Sequence, residues 1–508
     1  MHDLQPMIEA CRIEGDPQNG FDVVHVVGTN GKGSVAATVA SIWRAAGVST
    51  GFYSSPHLHR YHERIQIDGE VIDDARVVRL LDYAMTRHLD LTFFEVTTLV
   101  AFLAFRDARV RTAVLEVGLG GRLDATNVVA HPLASIITTI GFDHTKILGH
   151  TLEAIASEKA GIIKPSTPVV MGRLSAEAAS VVEACVNSIG AGTLWRLGHE
   201  LSATRCGDRL RIMGPQGRWL DVEPRLEGVH QEENAALAVG SIWLAHASNI
   251  ALQCPDRDAI QRGVRDVSWP GRLERVVVRD GTLKGRDLLD GAHNEQGVRT
   301  LVATLGDPGA RAQGALVFGV LADKQWPEML RLLAPLFGVR VYVAPSVHAA
   351  GRRGVSPADL LSADSGGQPV ATLSEAARRS RASECRSFDH SPDAARCDLV
   401  VVLVHLVRQL FCVRAWKVSS GGSDRSPTTR SRGDHKNKIK RSRSGRPADI
   451  EGPCVLGGSI SAGQTAAAEG MTPFGERRVC MKIANPINTR PISCEVDRPS
   501  AAPRSSAR

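Results

Sequence analysis

The sequence predicts an α/β protein with a parallel sheet and a phosphate-binding loop, followed by a smaller α/β domain. Runs of Val, Ile and Leu alternate with helical patterns between residues 21 and 345. Continuous apolar runs are typical of strands buried on both faces of a parallel sheet. A glycine-rich stretch, G-T-N-G-K-G-S at 28–34, joins the first of these runs to the first helical pattern. We therefore expect a P-loop central domain and a Rossmann-like second domain.

The individual elements follow from the same patterns. The strand candidates are residues 22–27, 112–117, 134–140, 167–171, 286–289, 315–320, 339–343 and, less regularly placed, 398–404. The first helix is predicted from apolar positions that share one face, and Gly47 ends it. Those positions are Val35, Val39, Ile42, Trp43 and Ala46.

Domain boundaries are predicted from breaks in this alternation. The stretch S-W-P-G at 268–271 follows a long helical pattern, and strand–helix alternation restarts after it. We expect one domain over 1–268 and a second over 269–417. Residues 418–508 are rich in Ser, Arg, Gly and Pro, a composition that buries too little apolar surface to offset chain entropy, so we expect a disordered tail.

Composition excludes several classes of protein. The chain has 508 residues, of which 43% are hydrophobic, which is enough for about two to four globular domains. No apolar run approaches the ~20 residues needed to span a bilayer, and residues 1–15 contain acids but no apolar core of a secretory signal. The ten cysteines form no C-x-x-C pair, which favours reduced thiols in a cytoplasmic protein.

Taken over the whole chain, the net charge of +7 and the pI of 9.0 suggest a polyanionic partner. Where the charges lie in the sequence decides whether that partner would bind the folded part. Residues 418–508 hold 16 Lys and Arg against 8 Asp and Glu, which leaves 45 bases against 46 acids in residues 1–417. The basic excess therefore belongs to the tail, and nucleic acid is not an expected partner of the folded body.

The stretch at 28–34 has the composition of a phosphate cradle. Glycines let backbone N–H groups approach an anion, and the start of the following helix adds positive potential. Lys32 can reach terminal phosphates, and the Ser34 hydroxyl can bind Mg²⁺. The spacing differs from the common G-x-x-x-x-G-K-[ST], because Gly33 separates the lysine from the serine. The alternative is a glycine-rich turn with an exposed lysine.

Four further motifs follow strand candidates, where open α/β sheets bind ligands. They are Y-S-S-P-H-L at 53–58, L-E-V-G-L-G-G-R-L-D-A-T-N at 115–127, G-F-D-H at 141–144 and L-D-G-A-H-N at 289–294. With these motifs, the sequence resembles the folylpolyglutamate synthase/dihydrofolate synthase family, within the Mur-ligase group of ATP-dependent amide ligases. The resemblance runs from about residue 21 to about residue 361 and includes E-K-A-G-I at 158–162.

The resemblance implies a ligase that joins L-glutamate to dihydropteroate, to tetrahydrofolate or to both, through an acyl phosphate made with ATP. It implies a nucleotide site with Mg²⁺ at two positions. The nucleotide residues it implies are Thr29, Asn30, Gly31, Lys32, Gly33, Ser34, Asn234, Arg272 and Asp290. The implied metal ligands are Ser34, Ser55, Glu116 and His144. Lys32, Lys159 and His293 are the implied catalytic residues, and Lys159 matches a lysine that is carbamylated in this group.

By family position, the pterin substrate is expected at Thr92, Phe93, Phe94 and Glu95, with Leu123 at the border of the same pocket. A flat heteroaromatic ring suits aromatic side chains. The alternative for both phenylalanines is that they begin a core helix over 96–105. For Glu116, His144 and Lys159 the alternatives are a solvated acid, a core histidine and a surface lysine.

Two departures from the family pattern affect these expectations. Only about twenty residues precede the first strand, and residues 403–408 replace the Gly-Ser turn that follows the last strand in the family. We expect that the reading frame changes near 376–405 and that the tail is not selected sequence.

Three other functions remain open at this point: a Mur-type ligase for a different carboxylate, a nucleotide-binding protein without catalysis, and nucleic-acid binding through the tail. The sequence does not decide between the two pterin substrates. We expect a monomer, because the ligase site is built within one chain.

Overall fold

A computed structural model of the chain describes residues 3–58, 60–248, 254–278, 285–306, 314–345, 353–372, 375–376, 378–380 and 398–402. All of these belong to one compact unit that spans Met1–Arg425. The predicted tail over 418–508 lies outside the described residues, and so does most of the region near 376–405 where a change of frame is expected, apart from residues 376, 378–380 and the strand at 398–402.

An eight-stranded sheet forms the first part of the fold, in the order β4-β3-β2-β5-β1-β6-β7-β8. Strands β2, β5, β1, β6, β7 and β8 run parallel, and β3 and β4 form an antiparallel edge. The strands are β1 Asp22–Val27, β2 Thr50–Tyr53, β3 Ile65–Ile67, β4 Glu70–Val71, β5 Thr112–Glu116, β6 Ala134–Ile137, β7 Val169–Met171 and β8 Leu194–Arg196.

β1 lies at the centre of this sheet because its side chains are buried on both faces. His25 and the valines of β1 are at most 1% exposed, and the register pairs Val24 with both Val114 and Ala134. The prediction for 22–27 is therefore confirmed. The candidates 112–117, 134–140 and 167–171 are also strands, with shorter bounds. β6 ends at Ile137 because the residues that follow leave the sheet to contact the phosphate loop.

Helices cover both faces of the sheet. α2 carries the phosphate loop at its start and packs against α8 and α9, and α4 packs on the opposite face with α3. The helices are α1 Gln5–Ile13, α2 Lys32–Ala45, α3 Asp74–Arg87, α4 Phe93–Asp107, α5 Thr145–Leu148, α6 Leu152–Ala160, α7 Ala176–Ile189, α8 Val229–Ser248 and α9 Arg257–Asp266. The predicted first helix is confirmed, and Gly47 follows it with a φ of +75°.

A three-stranded antiparallel sheet was not predicted from the sequence. It consists of β9 Ser202–Cys206, β10 Arg209–Met213 and β11 Trp219–Val222. Buried and exposed residues alternate along β10 and β11, which is typical of a sheet with one face in water. These strands therefore contain no continuous apolar run, which is the pattern from which the other strands were predicted.

A six-stranded sheet forms the last part of the described fold, in the order β12-β13-β17-β14-β15-β16. It is parallel except for β12, which pairs antiparallel with β13. Its strands are β12 Glu274–Val278, β13 Gly285–Asp290, β14 Ala315–Phe318, β15 Val339–Val343, β16 Gln368–Val370 and β17 Asp398–Val402. Its helices are α10 Glu295–Leu305, α11 Trp326–Leu333 and α12 Pro357–Ala363.

The strand predicted at 398–404 is confirmed over Asp398–Val402, where it lies between β13 and β14. The four strands predicted in this part of the chain are therefore all present. We refer below to the described residues from 3 to 266 as the eight-stranded body and to those from 274 to 402 as the six-stranded body. The described ranges contain no helix that is long and apolar enough to cross a membrane.

Candidate active site

The phosphate loop connects β1 to α2, and its glycines allow close approach by other groups. Gly31 has a φ of +83°, and a Cβ there would lie 2.6 Å from Oδ1 of Asn234. A Cβ on Gly28 would lie 1.9 Å from Oγ1 of Thr138. α2 begins at Lys32, so its first N–H groups face the loop, which is the arrangement that binds anions at helix starts.

Residues after β6 fix the shape of this loop. The Thr29 N–H donates to the carbonyl of Thr139 at 2.7 Å, and Oγ1 of Thr29 accepts from Gly141 N–H at 3.0 Å. The Asn30 N–H donates to Oγ1 of Thr139 at 2.9 Å. The loop is therefore held open by side-chain and backbone bonds rather than by packing alone.

Lys32 turns its ammonium into the loop. Nζ donates to the carbonyls of Gly28 at 3.0 Å and Thr29 at 3.2 Å. Burial lowers the pKa of Lys32, and the negative charges of Glu116 and Asp143 oppose that shift. A lysine in this position can stabilise charge on terminal phosphates.

Oxygen donors lie beside Lys32. Glu116 ends β5, is buried, and accepts a hydrogen bond from Ser55 N–H at 3.3 Å. Burial raises the pKa of Glu116, while the charge of Lys32 lowers it. Glu116, Ser34 and Ser55 all line the same cavity.

These donors have the chemistry that Mg²⁺ needs beside a nucleotide. Mg²⁺ prefers oxygen ligands and is usually held by one or two carboxylates together with substrate phosphates. Within the described residues, no three His, Cys, Asp or Glu side chains come together as a set able to hold a metal ion. Glu116 and the two hydroxyls therefore fit a metal that phosphate oxygens help to bind. His144 lines the cavity with a φ of +50°.

Lys159 lies under the phosphate loop. It is 4% exposed, near the end of α6, and its Nζ donates to the carbonyl of Gly28 at 3.0 Å. Burial and the neighbouring charge of Lys32 lower the pKa of Lys159 to about 7. A surface lysine, the alternative considered from the sequence, is therefore wrong.

The six-stranded body supplies the opposite wall. Asp290 ends β13 and accepts hydrogen bonds from the N–H groups of Leu273 at 3.0 Å and Ala292 at 2.9 Å. Oδ2 thus holds the segment that carries Arg272, and Oδ1 holds the turn that follows β13. Nδ1 of His293 lies 2.9 Å from the carbonyl of Gly291.

A buried ion pair joins the two walls, and the sequence analysis did not assign it. Nζ of Lys324 lies 2.6 Å from Oδ1 of Asp143, with the two side chains 8% and 10% exposed. Burial raises the pKa of Asp143, but His293 and Lys324 outweigh this effect and hold the pKa well below its usual range. The motif G-F-D-H contained the signal for Asp143, whereas nothing in the sequence pointed to Lys324.

The predicted pterin residues fall into two groups. Phe93 and Phe94 line the cavity, and Phe93 contacts Tyr61 with ring centroids 6.2 Å apart. Thr92 and Glu95 instead form the cap of α4, where Oε2 of Glu95 accepts from Thr92 N–H and Oγ1, both at 2.7 Å. Their contacts are thus those of a capping box.

The structure also changes what was expected of two further residues, Leu123 and Arg64. Leu123 is half-buried outside the cavity lining, and its neighbour Asp124 accepts bonds from the N–H groups of Gly118 and Leu119. Arg64 was not predicted from the sequence. Its guanidinium lies over the Phe93 ring at 5.7 Å, and its Nε donates to His57 at 2.8 Å.

One cavity of about 1160 Å³ contains both ends of this site. It brings together the phosphate loop, the acidic and hydroxyl groups, Lys159, the phenylalanines and residues of the six-stranded body. The predicted residues that line it are Thr29, Asn30, Gly31, Lys32, Gly33, Ser34, Ser55, Phe93, Phe94, Glu116, His144, Lys159, Asn234, Arg272, Asp290 and His293. Thr92, Glu95 and Leu123 are not part of the lining.

Comparison with known proteins agrees with this arrangement. Residues 26–242 match the family model of the Mur ligase middle domain. The chain is 36% identical to the folylpolyglutamate synthase of Lacticaseibacillus casei over 345 residues, which cover 65% of this chain and 78% of that protein. This chain belongs to the folylpolyglutamate synthase/dihydrofolate synthase family. It is therefore an ATP-dependent ligase of the Mur-ligase type.

Solved structures of the family agree with the fold. The Mycobacterium tuberculosis folylpolyglutamate synthase complexed with ADP matches with a TM-score of 0.70 at 31% identity, covering 81% of this chain and 94% of that one. The Escherichia coli protein FolC in complex with DHPP and ADP matches with a TM-score of 0.68 at 27% identity, covering 82% and 94%. The expectation of family membership is thus confirmed.

Proposed function

We propose that this ligase joins L-glutamate to dihydropteroate, to tetrahydrofolate or to both, with ATP as the source of free energy. The observation that carries the proposal is the single cavity with a phosphate loop at one end and Phe93 and Phe94 at the other. A nucleotide fits the first end, and a flat pterin ring fits the second. The relatives support this reading, since FolC of Escherichia coli is described in complex with DHPP and ADP.

The chemistry requires activation because a carboxylate is a poor acyl donor. A carboxylate oxygen of the pterin substrate attacks the terminal phosphorus of ATP, and ADP leaves. The amino group of glutamate then attacks the acyl carbon, loses a proton, and expels inorganic phosphate. The products are the amide, ADP and phosphate, so all atoms of the three substrates are accounted for.

Different residues of the chain contribute to phosphoryl transfer, to nucleotide orientation and to attack by the amine. Lys32 and Arg272 supply positive charge to the transferring phosphoryl group, which is the main catalytic requirement in such reactions. Asn234 and Asp290 orient the nucleotide between the two bodies. His293, which lines the same wall, meets the transferred phosphate or the incoming amine.

Ser34, Ser55, Glu116 and His144 are the residues that would hold Mg²⁺. The metal would neutralise charge on the phosphate oxygens. We also propose that Lys159 is carbamylated, so that it offers oxygen in place of an ammonium. A pKa near 7 supports this, because only the neutral amine adds to carbon dioxide, forming an N–C bond and releasing a proton.

Three further points remain proposals. We expect a boundary between two domains near residue 268, a monomeric ligase and a cytoplasmic location. The first is supported by the two separate sheets, and the second by a cavity that one chain lines.

The function is tested by ATP turnover in the presence of L-glutamate and either dihydropteroate or tetrahydrofolate. Phosphate release that depends on both the pterin and glutamate supports the proposal, and the preferred pterin identifies the substrate. No pterin-dependent release with either compound refutes it. Intact-protein mass spectrometry under carbon dioxide tests Lys159, with Lys159→Ala as the variant that cannot gain the adduct.

A further inference from the structure

The buried carboxylate of Asp143 contacts groups from both bodies. Oδ1 accepts from Lys324 Nζ at 2.6 Å and from the adjacent His144 N–H at 2.8 Å. Oδ2 accepts from Asn294 Nδ2 at 3.2 Å and lies 3.5 Å from Nε2 of His293. Asp143 itself belongs to the loop after β6, which also holds the phosphate loop.

The partners of Asp143 come from two different loops of the six-stranded body. His293 and Asn294 follow β13, and Lys324 lies between β14 and α11. The carboxylate therefore fixes two loops of one body to a single point of the other.

An amide pair continues this contact to the phosphate loop. Nδ2 of Asn294 donates to Oδ1 of Asn30 at 3.0 Å, and Nδ2 of Asn30 donates to Oδ1 of Asn294 at 3.2 Å. Oδ1 of Asn294 also accepts from Gly297 N–H at 2.8 Å, which caps α10. Asn294 thus connects Asp143, the phosphate loop and the start of a helix.

We propose that Asp143 is a positioning residue that sets the six-stranded body over the phosphate loop, acting mainly through Lys324. Removing one member of a buried pair leaves the other charge uncompensated, so the pair resists separation. With the six-stranded body aligned in this way, Arg272 and His293 lie at the phosphate end of the cavity. The inference rests on the proposed ligase function but concerns alignment, which is measured without turnover.

The kinetic test compares Asp143→Asn, Lys324→Ala and the double variant in the full chain. We expect kcat to fall by about tenfold to a hundredfold in each, because misplacement of about 1 Å costs that much in oriented reactions. We expect KM for ATP to change by less than about threefold, since the loop that binds phosphate stays formed. The double variant should be no slower than Lys324→Ala alone, because the two residues act as one unit.

The matched control is Asp221→Asn, which removes an acid from the ion pair between Arg211 and Asp221 in the three-stranded sheet, with 2.8 Å between Nε and Oδ1. Neither residue lines the cavity. We expect wild-type kcat from this variant. Wild-type kcat in Asp143→Asn or in Lys324→Ala would overturn the proposal, as would additive losses in the double variant.

Hydrogen exchange separates this inference from the proposed function. Loss of the contact should speed exchange of amides 295–298, at the start of α10, by about tenfold or more, because this segment would open locally. The increase is expected in Asp143→Asn and Lys324→Ala but not in Asp221→Asn. Unchanged exchange in the first two overturns the inference even if the ligase is active. Absence of turnover in the wild type, with exchange altered as expected, refutes only the ligase function.

Discussion

The indole ring of Trp269 packs directly against Gly33 of the phosphate loop. A Cβ built on Gly33 would lie 2.6 Å from Cζ2 of that ring, which is closer than any real contact of two carbons. The same ring meets Phe52 of β2 edge-on, with centroids 5.5 Å apart. The segment between the two bodies is thereby anchored on the helix that carries the loop, and Gly33 is required because of its missing side chain.

Gly33→Ala should consequently destabilise the protein and weaken nucleotide binding. The added methyl group forces Trp269 to move, and overpacking of this kind costs about 1–3 kcal/mol. Urea unfolding measures the stability, and the increase in the thermal midpoint on adding ATP and Mg²⁺ measures binding.

Two variants control this experiment. Gly20→Ala adds a methyl group with only one neighbour, the Pro17 carbonyl at 3.4 Å, so its stability should stay within about 0.5 kcal/mol of the wild type. Adding Trp269→Leu to Gly33→Ala removes the clash and should recover part of the lost stability. A wild-type unfolding midpoint for Gly33→Ala alone would contradict the packing argument.

The sequence identified the parts of the site that depend on local chemistry. The composition of the phosphate loop indicates phosphate binding by itself, and Glu116 and Lys159 were assigned through short motifs that resemble those of the family. The parallel strands with continuous runs of Val, Ile or Leu were predicted, because such a run reflects burial on both faces of a sheet. β2 at Thr50–Tyr53 is also buried but has no such run, and it was not predicted. These features require no knowledge of distant partners.

The missed features depend on residues far apart in the chain. Asp143 and Lys324 are 181 positions apart, and a lysine in a loop gives no local sign of its partner. Arg64 was missed because its role arises from Phe93 and His57, which the fold brings to it. Thr92 and Glu95 show the opposite case: their family position predicted pterin contact, whereas their mutual hydrogen bonds are those of a helix cap.

The cysteines should differ widely in reactivity. Cys11 is fully buried on α1, and burial raises the pKa of its thiol to about 12, so almost no thiolate forms at neutral pH. Cys206 is exposed in β9. Peptide mapping after brief treatment with a maleimide should find Cys206 modified and Cys11 untouched until denaturant is added. Rapid modification of Cys11 in the folded protein would contradict its burial.

Glu200 should stabilise the fold in a pH-dependent manner. Hydrogen bonds from Arg196 lower the pKa of Glu200 to about 2. An acid with a depressed pKa contributes stability above its unfolded pKa, near 4.3, and loses it as the pH falls towards 2. Glu200→Gln should therefore lower stability at pH 7 by at most about 1 kcal/mol, since the pair is partly exposed, and the difference should shrink between pH 4.5 and 3.

Glu183→Gln is the comparison for that effect. Glu183 also pairs with Arg196, at 3.0 Å, whereas Glu200 receives three hydrogen bonds from the same residue. We expect a smaller loss at pH 7 from Glu183→Gln. A Glu200→Gln difference that grows as the pH falls would have the wrong sign for this account.

Lys32→Ala should lower kcat by about a hundredfold to a thousandfold and leave the protein folded. Lys32 provides the ammonium closest to the expected phosphates, and its charge also opposes the effect of burial on Glu116. Loss of one preorganised electrostatic group costs about 10²–10³ in kcat, and Glu116→Ala should have an effect of similar size. Phosphate release measures the rate, and circular dichroism checks the fold.

Lys164→Ala is the matched control, because Lys164 is also partly buried and donates to the Asn127 carbonyl at 3.2 Å, but does not line the cavity. Full activity in Lys32→Ala would mean that the Lys32 ammonium is not needed at the terminal phosphates.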